Sequence, residues 1–291
     1  MGDAFSQHRQ HLFGVAYRML GSRADADDVV QDAWLRYAAA DASAIADLRA
    51  WLTTVTGRLC LDLLRSARVR REAYVGSWLP EPLVERLPGQ GADPGEEVAL
   101  SDSVSIALLL ILDALTPEQR VAFVLHDVFA VPFAEVAGTL GTTAENARQL
   151  ASRARKAVSA GEHRHSTDRA RQAEVLAAFT AAARGGDLDA LLKVLAPDVV
   201  ALGDGGGVAR AARRPILGAL PVARFVLGLF RRAEKLGYMW QPALVNGDLG
   251  FIVRTDDGPG VAALAVSPEG LVTGVYNQLN PAKLTTLGDQ F

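Results

Sequence analysis

Four aspartates, Asp25, Asp27, Asp28 and Asp32, crowd one short stretch of the sequence, and two arginine-rich blocks follow it. The first block is Arg58, Arg65, Arg68, Arg70 and Arg71; the second is Arg148, Arg153, Arg155 and Lys156. Clustered carboxylates attract a basic protein surface, and clustered guanidiniums neutralise phosphates, so the chemistry on offer is docking. A formal net charge of −3 hides this segregation. The single cysteine, Cys60, lies in the apolar run Leu59-Cys60-Leu61, so no disulfide framework or zinc cluster can form within one chain. That usage fits a reducing, cytoplasmic setting. The expectation is a binding protein with no catalytic residue, no metal and no cofactor.

The elements that position these residues follow from composition and periodicity. A chain of 291 residues, 49% hydrophobic and 22% charged, holds two or three domains. From Ala4 to about Tyr74 the pattern is helical. Between Gly76 and Gly95, Pro80, Pro82, Pro88, Pro94 and four glycines break helices and mark a linker. Trp78, Leu79, Leu83 and Leu87 make that linker unusually apolar. Helical periodicity returns from about Glu96 to Ser159, and a polar stretch with His163 and His165 reads as a second linker. The boundaries expected are 1–75, a linker 76–100, 101–160, a linker 161–168, and 169–291. The N-terminus lacks a signal-peptide pattern, and the apolar run 106–112 is far short of the roughly 20 residues that span a bilayer, so no membrane partner is expected.

Local signals place the charges on faces. Ser22 caps a helix in which Ala26, Val30, Ala33, Trp34 and Tyr37 form a buried stripe, leaving Asp25, Asp28 and Asp32 opposite. Asp47 caps the next helix, with Leu48, Trp51, Leu52, Val55 and Leu59 facing the core. Its other side carries Arg49, Thr53, Thr56, Arg58, Asp62 and Arg65, with Asp62 spaced to pair with both Arg58 and Arg65. Thr116 and Pro117 start a further helix. Val131 to Leu140, the turn Gly141-Thr142-Thr143, and Ala144 to Val158 read as a helix-turn-helix. Ala147, Leu150, Ala151, Ala154 and Val158 of its second helix face inward. Glu145, Arg148, Gln149 and Ser152 share the outer face near its N-terminus, where a recognition helix enters the major groove. Arg153, Arg155 and Lys156 suit phosphates.

The stretch Asp25-Ala-Asp-Asp-Val-Val-Gln31-Asp32-Ala-Trp34 resembles the polymerase-binding helix of extracytoplasmic-function sigma factors. The resemblance implies that Asp25, Asp27, Asp28, Gln31 and Asp32 bind the clamp helices of core RNA polymerase. Leu48-Arg49-Ala50-Trp51-Leu52, with Arg58, Asp62 and Arg65, is similar to the promoter-melting segment of that family. It implies −10 contacts through Arg49, Trp51, Arg58, Asp62, Arg65 and Arg68, although Leu59 stands where Asn is usual. Leu108 to Val158 resembles sigma region 4, which reads the −35 element and meets the polymerase flap. Glu145, Arg148, Gln149, Ser152, Arg153, Arg155 and Lys156 are the corresponding DNA candidates, with Arg148 and Gln149 foremost for bases.

After residue 168 the texture changes. Arg169–Ala183 and Leu188–Leu195 read as helices. Short β-like runs follow at Val199–Leu202, Gln241–Val245, Gly250–Arg254, Gly260–Val266 and Leu271–Leu279, with turn signals at Asn246-Gly247 and Asp257-Gly258. Helices before a mostly antiparallel sheet suggest an α+β domain. The whole is then a multidomain chain: two all-α modules, then α+β. Trp78-Leu79-Pro80-Glu81-Pro82, Asp204-Gly205-Gly206-Gly207 and Asn280-Pro281-Ala282-Lys283-Leu284 resemble motifs of the sigma subgroup with a SnoaL-like C-terminal domain, a cone of helices on a curved sheet. The resemblance implies regulation in cis through those residues. Asp204 admits two readings. It could serve an enclosed pocket as acid or base, making the chain a DNA-anchored small-molecule sensor or a SnoaL-type isomerase or cyclase. The favoured reading is that Asp204 satisfies backbone donors in a tight glycine turn against another element. A small ligand of the C-terminal domain joins promoter DNA and core polymerase as a candidate partner.

Overall fold

A computed structural model describes residues 2–72, 74–87, 104–162 and 168–287. The linker stretch 88–103, His163 and His165 lie outside the described residues, as do the side chains of Arg68, Arg70 and Arg71. The chain forms two compact units, 1–73 with 109–160 and 74–108 with 161–291. The two helical modules thus fold into one unit, and the linker after the first module belongs with the C-terminal domain. Among the described residues no helix is long and apolar enough to cross a membrane.

In the helical unit, α1 (Gly2–Ser6), α2 (Arg9–Leu20), α3 (Arg23–Ala38) and α4 (Leu48–Glu72) make the first module. Phe5, Leu12, Val30, Ala33, Tyr37 and Leu52 close its core, with Trp34 and Trp51 packed at the edge. Ser22 Oγ accepts from Asp25 N–H at 3.1 Å, and Asp47 accepts from Ala50 N–H at 3.0 Å, so both expected caps form. The second module holds α5 (Ile106–Asp113), α6 (Pro117–Phe123) running into a π turn (Val124–Val128), α7 (Phe133–Leu140) and α8 (Ala144–Glu162). Thr116 and Gln119 complete a capping box at α6. Helix α7 starts two residues later than the sequence suggests, because Pro132 takes the cap position.

The modules pack through α4. Thr53 and Thr56, expected on its polar face, are buried, at 2% and 0% exposure. Thr53 is held within the first module, its hydroxyl donating to Arg49 O at 2.8 Å and lying 2.9 Å from His11 Nε2. Gly57 lets α4 approach the second module so closely that a Cβ there would lie 3.0 Å from Leu125 Cδ1 and 3.3 Å from Thr139 Cγ2. Arg120 on α6 is buried and donates to Met19 O of α2 and to Asp113, each at 2.8 Å. Burial pulls its guanidinium down to about 10, so it stays charged at neutral pH.

In the second unit a seven-stranded sheet runs β1-β4-β5-β6-β7-β2-β3. The strands are β1 (Val84–Arg86), β2 (Leu195–Asp204), β3 (Ile216–Leu217), β4 (Trp240–Val245), β5 (Asp248–Thr255), β6 (Gly258–Val266) and β7 (Val272–Gln278). All neighbours are antiparallel except β2 and β7. Helices α9 (Arg169–Gly185), α10 (Leu188–Val194) and α11 (Ala219–Leu236) share a core with β2, β6 and β7. Two elements depart from the sequence reading. Helix α11 went unseen, because exposed Leu220 and Leu236 blur the buried stripe of Val222, Val226 and Phe230. The prolines and glycines of the linker suggest irregular chain, yet β1 pairs with β4 through Val84 opposite Val245 and Arg86 opposite Ala243, covering an edge that would otherwise be open.

Gly57→Leu should force α4 off the second module. The expected result is a loss of about 1–3 kcal/mol in urea denaturation; an unchanged curve would contradict the packing through Gly57.

Candidate functional site

The acidic helix α3 presents Asp25, Asp28, Gln31 and Asp32 to solvent. Asp27 is half-buried and stands 3.7 Å from Arg9, a loose surface pair. Leu35, one turn beyond Asp32 and two beyond Asp28, is 58% exposed. Sequence reasoning missed it, although its position between Trp34 and Arg36 on a helix of known phase would have placed it outside. An apolar side chain among carboxylates suits a partner that is basic and part apolar.

The basic face of α4 is committed to other parts of the same unit. Arg49 donates to His11 Nδ1 at 3.2 Å, and His11 Nε2 lies 2.9 Å from Thr53 Oγ1. Trp51 is half-buried against Tyr37, with ring centroids 6.3 Å apart. The expected pairing of Asp62 with Arg58 and Arg65 is replaced. Arg58 donates to Gly138 O at 3.2 Å, and Arg65 meets Glu118 at 3.1 Å. Asp62 is exposed. The second module supplies both alternatives, which no local spacing rule could reveal. Cys60 is fully buried and burial pushes its thiol up, so it is inert toward thiol chemistry.

Helix α8 carries Glu145, Arg148, Gln149, Ser152, Arg153, Arg155 and Lys156 outward, while Ala147, Ala151, Ala154 and Val158 are buried. Thr143 caps it through Asn146 N–H at 3.2 Å. The Arg148 guanidinium lies 5.1 Å from the Phe133 ring, and Arg155 pairs with Asp127 at 2.6 Å. The others stay available at the surface.

The densest polar arrangement lies within the second unit, around Asp204 at the end of β2. The residue has no solvent exposure. Its Oδ1 accepts from the Tyr74 hydroxyl at 2.6 Å and from Gly206 N–H at 3.0 Å. Its Oδ2 accepts from Lys283 at 2.7 Å, Leu79 N–H at 2.9 Å and Gln278 at 3.4 Å. Lys283 also donates to Leu79 O at 2.6 Å and sits 4.2 Å from the Trp78 ring centroid. Gln278 reaches Pro80 O at 3.1 Å, and Asn280 donates to the Tyr74 hydroxyl oxygen at 2.9 Å. Pro80, Glu81 and Pro82 are buried. Asn280 caps the turn that Pro281 opens, which aims Lys283 inward. A Cβ on Gly205 would collide with Ala209 O, and one on Gly206 with the Asn280 side chain. A second anchor lies further along the linker. Leu83 N–H donates to Asn246 Oδ1 at 3.0 Å, and Asn246 Nδ2 donates to Val104 O at 2.9 Å.

All three motifs singled out in the sequence therefore meet at one point. Three participants were missed. Tyr74 looked like a helix end, Gln278 like an ordinary strand residue, and Asn246 only like a turn former; its φ of 54° fits the turn as well. Both Asp204 oxygens are taken up by linker and turn donors, the arrangement of an anchor. Burial opposes its charge, but Lys283, the Leu79 N–H and Tyr74 outweigh burial and hold it below the usual carboxylate range. Burial and the neighbouring Asp204 push the Tyr74 hydroxyl up, so it remains a donor.

A lowered folded-state value stabilises the docked linker fully above the unfolded value of about 3.9 and loses that contribution as pH falls through the folded one. Leu79 amide exchange, corrected for its intrinsic rate, should therefore stay protected from neutral pH to about pH 4 and rise only below it. Asp204→Ala removes the carboxylate from its buried pair with Lys283 and should speed that exchange roughly 100-fold, the equivalent of about 3 kcal/mol for breaking a buried pair. Equal protection in the variant would show that the linker is held elsewhere.

Comparison with known proteins adds to this geometry. Residues 4–70 match the family described as sigma-70 region 2, and residues 105–158 match sigma-70, region 4. The chain is 48% identical to the ECF RNA polymerase sigma factor SigJ of Mycobacterium tuberculosis, over 97% of this chain and 92% of that protein. It is 40% identical to a probable ECF RNA polymerase sigma factor, SigI, of the same species, over 67% of each. A crystal structure of the M. tuberculosis SigJ protein superposes with a TM-score of 0.78 at 45% identity, covering 98% of both chains.

Proposed function

The chain belongs to the extracytoplasmic-function family of RNA polymerase sigma factors, which direct core polymerase to promoters, and from that premise we propose how its surfaces divide the work. The family is not a catalytic class. In our reading Asp25, Asp27, Asp28, Gln31 and Asp32 dock the clamp helices of the polymerase, with Leu35 adding apolar contact. Arg49, Arg58, Asp62, Arg65 and Arg68 engage the −10 strands, with Trp51 as support from the core side. Glu145, Arg148, Gln149 and Ser152 read the −35 major groove while Arg153, Arg155 and Lys156 hold phosphates, and the second module meets the flap. The working division takes residues 74–108 as the segment joining the two helical modules, in place of the linker 76–100 expected from the sequence.

The observation that carries the regulatory part is the docking of residues 74–83 and 104 on the C-terminal domain through Asp204 and Asn246. The −10 and −35 elements lie about 25 base pairs apart, or roughly 85 Å of B-form DNA at 3.4 Å per step. The helical unit, with about 125 residues, is roughly 35 Å across by the scaling of compact domains. The packed modules cannot serve both elements, so they must part. The 35 linker residues 74–108 could reach about 115 Å extended, but only when free. We therefore read the docked linker as a restraint in cis, and the Arg58 and Arg65 contacts as a second one.

Run-off transcription with core polymerase tests this. Asp28→Lys with Asp32→Lys should abolish core binding in a chain that still melts cooperatively; unchanged binding would contradict the docking face. Glu118→Ala frees Arg65 from an exposed pair worth about 0–1 kcal/mol, so output should rise about twofold. Arg65→Ala should lower it. A fall in both variants would contradict the restraint.

A further inference from the structure

The C-terminal domain holds a cavity of about 300 Å³, partly open to solvent, whose lining includes neither Asp204 nor any described linker residue. It lies between the sheet and α11. Its walls are apolar: Phe225, Leu229, Trp240, Val253, Val261 and Leu279. Exposed Arg210, Arg232 and Asp257 stand at its solvent side. The volume is at the lower end of the ~300–1,000 Å³ of small-molecule sites, which are mostly apolar with a few placed polar groups.

One such group is present. Asn277 lines the wall, and among the described residues nothing accepts from its Nδ2, which is shut off from solvent. A buried donor without a partner is costly, and each one calls for a reason. The terminal torsion of an Asn side chain is broad, so a modest rotation brings the amide to an acceptor in the cavity. We infer that this cavity binds a small, largely apolar molecule whose carbonyl oxygen accepts from Asn277, with two arginines against one aspartate favouring a neutral or anionic outer end.

Strand pairing links that site to the linker anchor. In the parallel pair β2/β7, Gly203 lies opposite Asn277 and Asp204 opposite Gln278. Side chains alternate across a sheet, so the first pair faces the cavity and the second faces the linker. A ligand on Asn277 therefore sits one residue from the groups that hold Leu79 and Pro80. The site stands independently of polymerase or DNA docking; only its consequence for the linker rests on the function proposed above.

The test uses the full chain without polymerase or DNA, so its failure is distinct from failure of that reading. The probe is the neutral naphthalene ketone prodan, whose emission reports both apolar surroundings and hydrogen bonding at its carbonyl. Saturable one-to-one binding with blue-shifted emission is expected. Leu229→Trp fills the cavity and should weaken binding at least tenfold. Asn277→Leu should weaken it about fivefold and move the emission of the bound probe further to the blue, because the carbonyl loses its donor. That variant should melt no lower than the parent, since it removes an unsatisfied donor. Absence of saturable binding, or binding that both substitutions leave unchanged, would overturn the proposal, as would a parent-like emission maximum in Asn277→Leu.

Discussion

One buried carboxylate organises the C-terminal half of this sigma factor. Taking the Asp204 side chain out of water costs several kcal/mol unless donors replace the lost hydration. Those donors come from three directions: the linker (Tyr74, Leu79), the glycine turn (Gly206), and the end of the sheet with the turn after it (Gln278, Lys283). None of the three segments can move off without stranding the others. Lys283 in turn depends on Leu79 O and the Trp78 ring. The glycines beside Asp204 follow from this crowding, because side chains there would displace Ala209 or Asn280. The linker strand β1 extends the same attachment along the edge of β4 with main-chain bonds that any sequence could make.

The helical unit shows a parallel economy. The side of α4 that carries basic residues suited to DNA is also the side that packs on the second module. Gly57 permits the approach, and Arg58 and Arg65 find partners across it. Buried Arg120, bonded to Met19 O, ties the modules more firmly than these exposed pairs. The surfaces left outside are the acidic face of α3 and the outer face of α8. On the assignment proposed above, polymerase docking and the first DNA contacts would use faces already exposed, whereas full use of α4 would require the modules to part.

Much of this was legible in the residues themselves. The caps at Ser22, Asp47, Thr116 and Thr143 form as their sequence signals demand, and the inward stripe of α8 falls as its spacing requires. The favoured reading of Asp204, a carboxylate satisfying backbone donors against another element, matches the bonds it makes. Most of what escaped arises from contact between distant segments. Asp62 had well-spaced local partners and lost them to Glu118 and Gly138. Asn246 obeyed its turn rule, and nothing nearby signalled that its amide would also hold Leu83 and Val104. Helix α11 was hidden because its exposed leucines look like core. The cavity beside Asn277 is a property of the folded sheet and α11 together, with no local motif.

A reversible lock on the linker would show whether, as proposed, its docking restrains promoter use. A Cβ on Gly207 would lie 3.4 Å from Val75 Cβ, close to the ~3.5–4.5 Å span of a disulfide. Val75→Cys with Gly207→Cys would therefore bolt the linker to the C-terminal domain when oxidised. Buried Cys60 stays out of the reaction. With core polymerase and promoter DNA, the oxidised chain should yield several-fold less run-off transcript, with recovery on reduction. Equal output from the two states would contradict it.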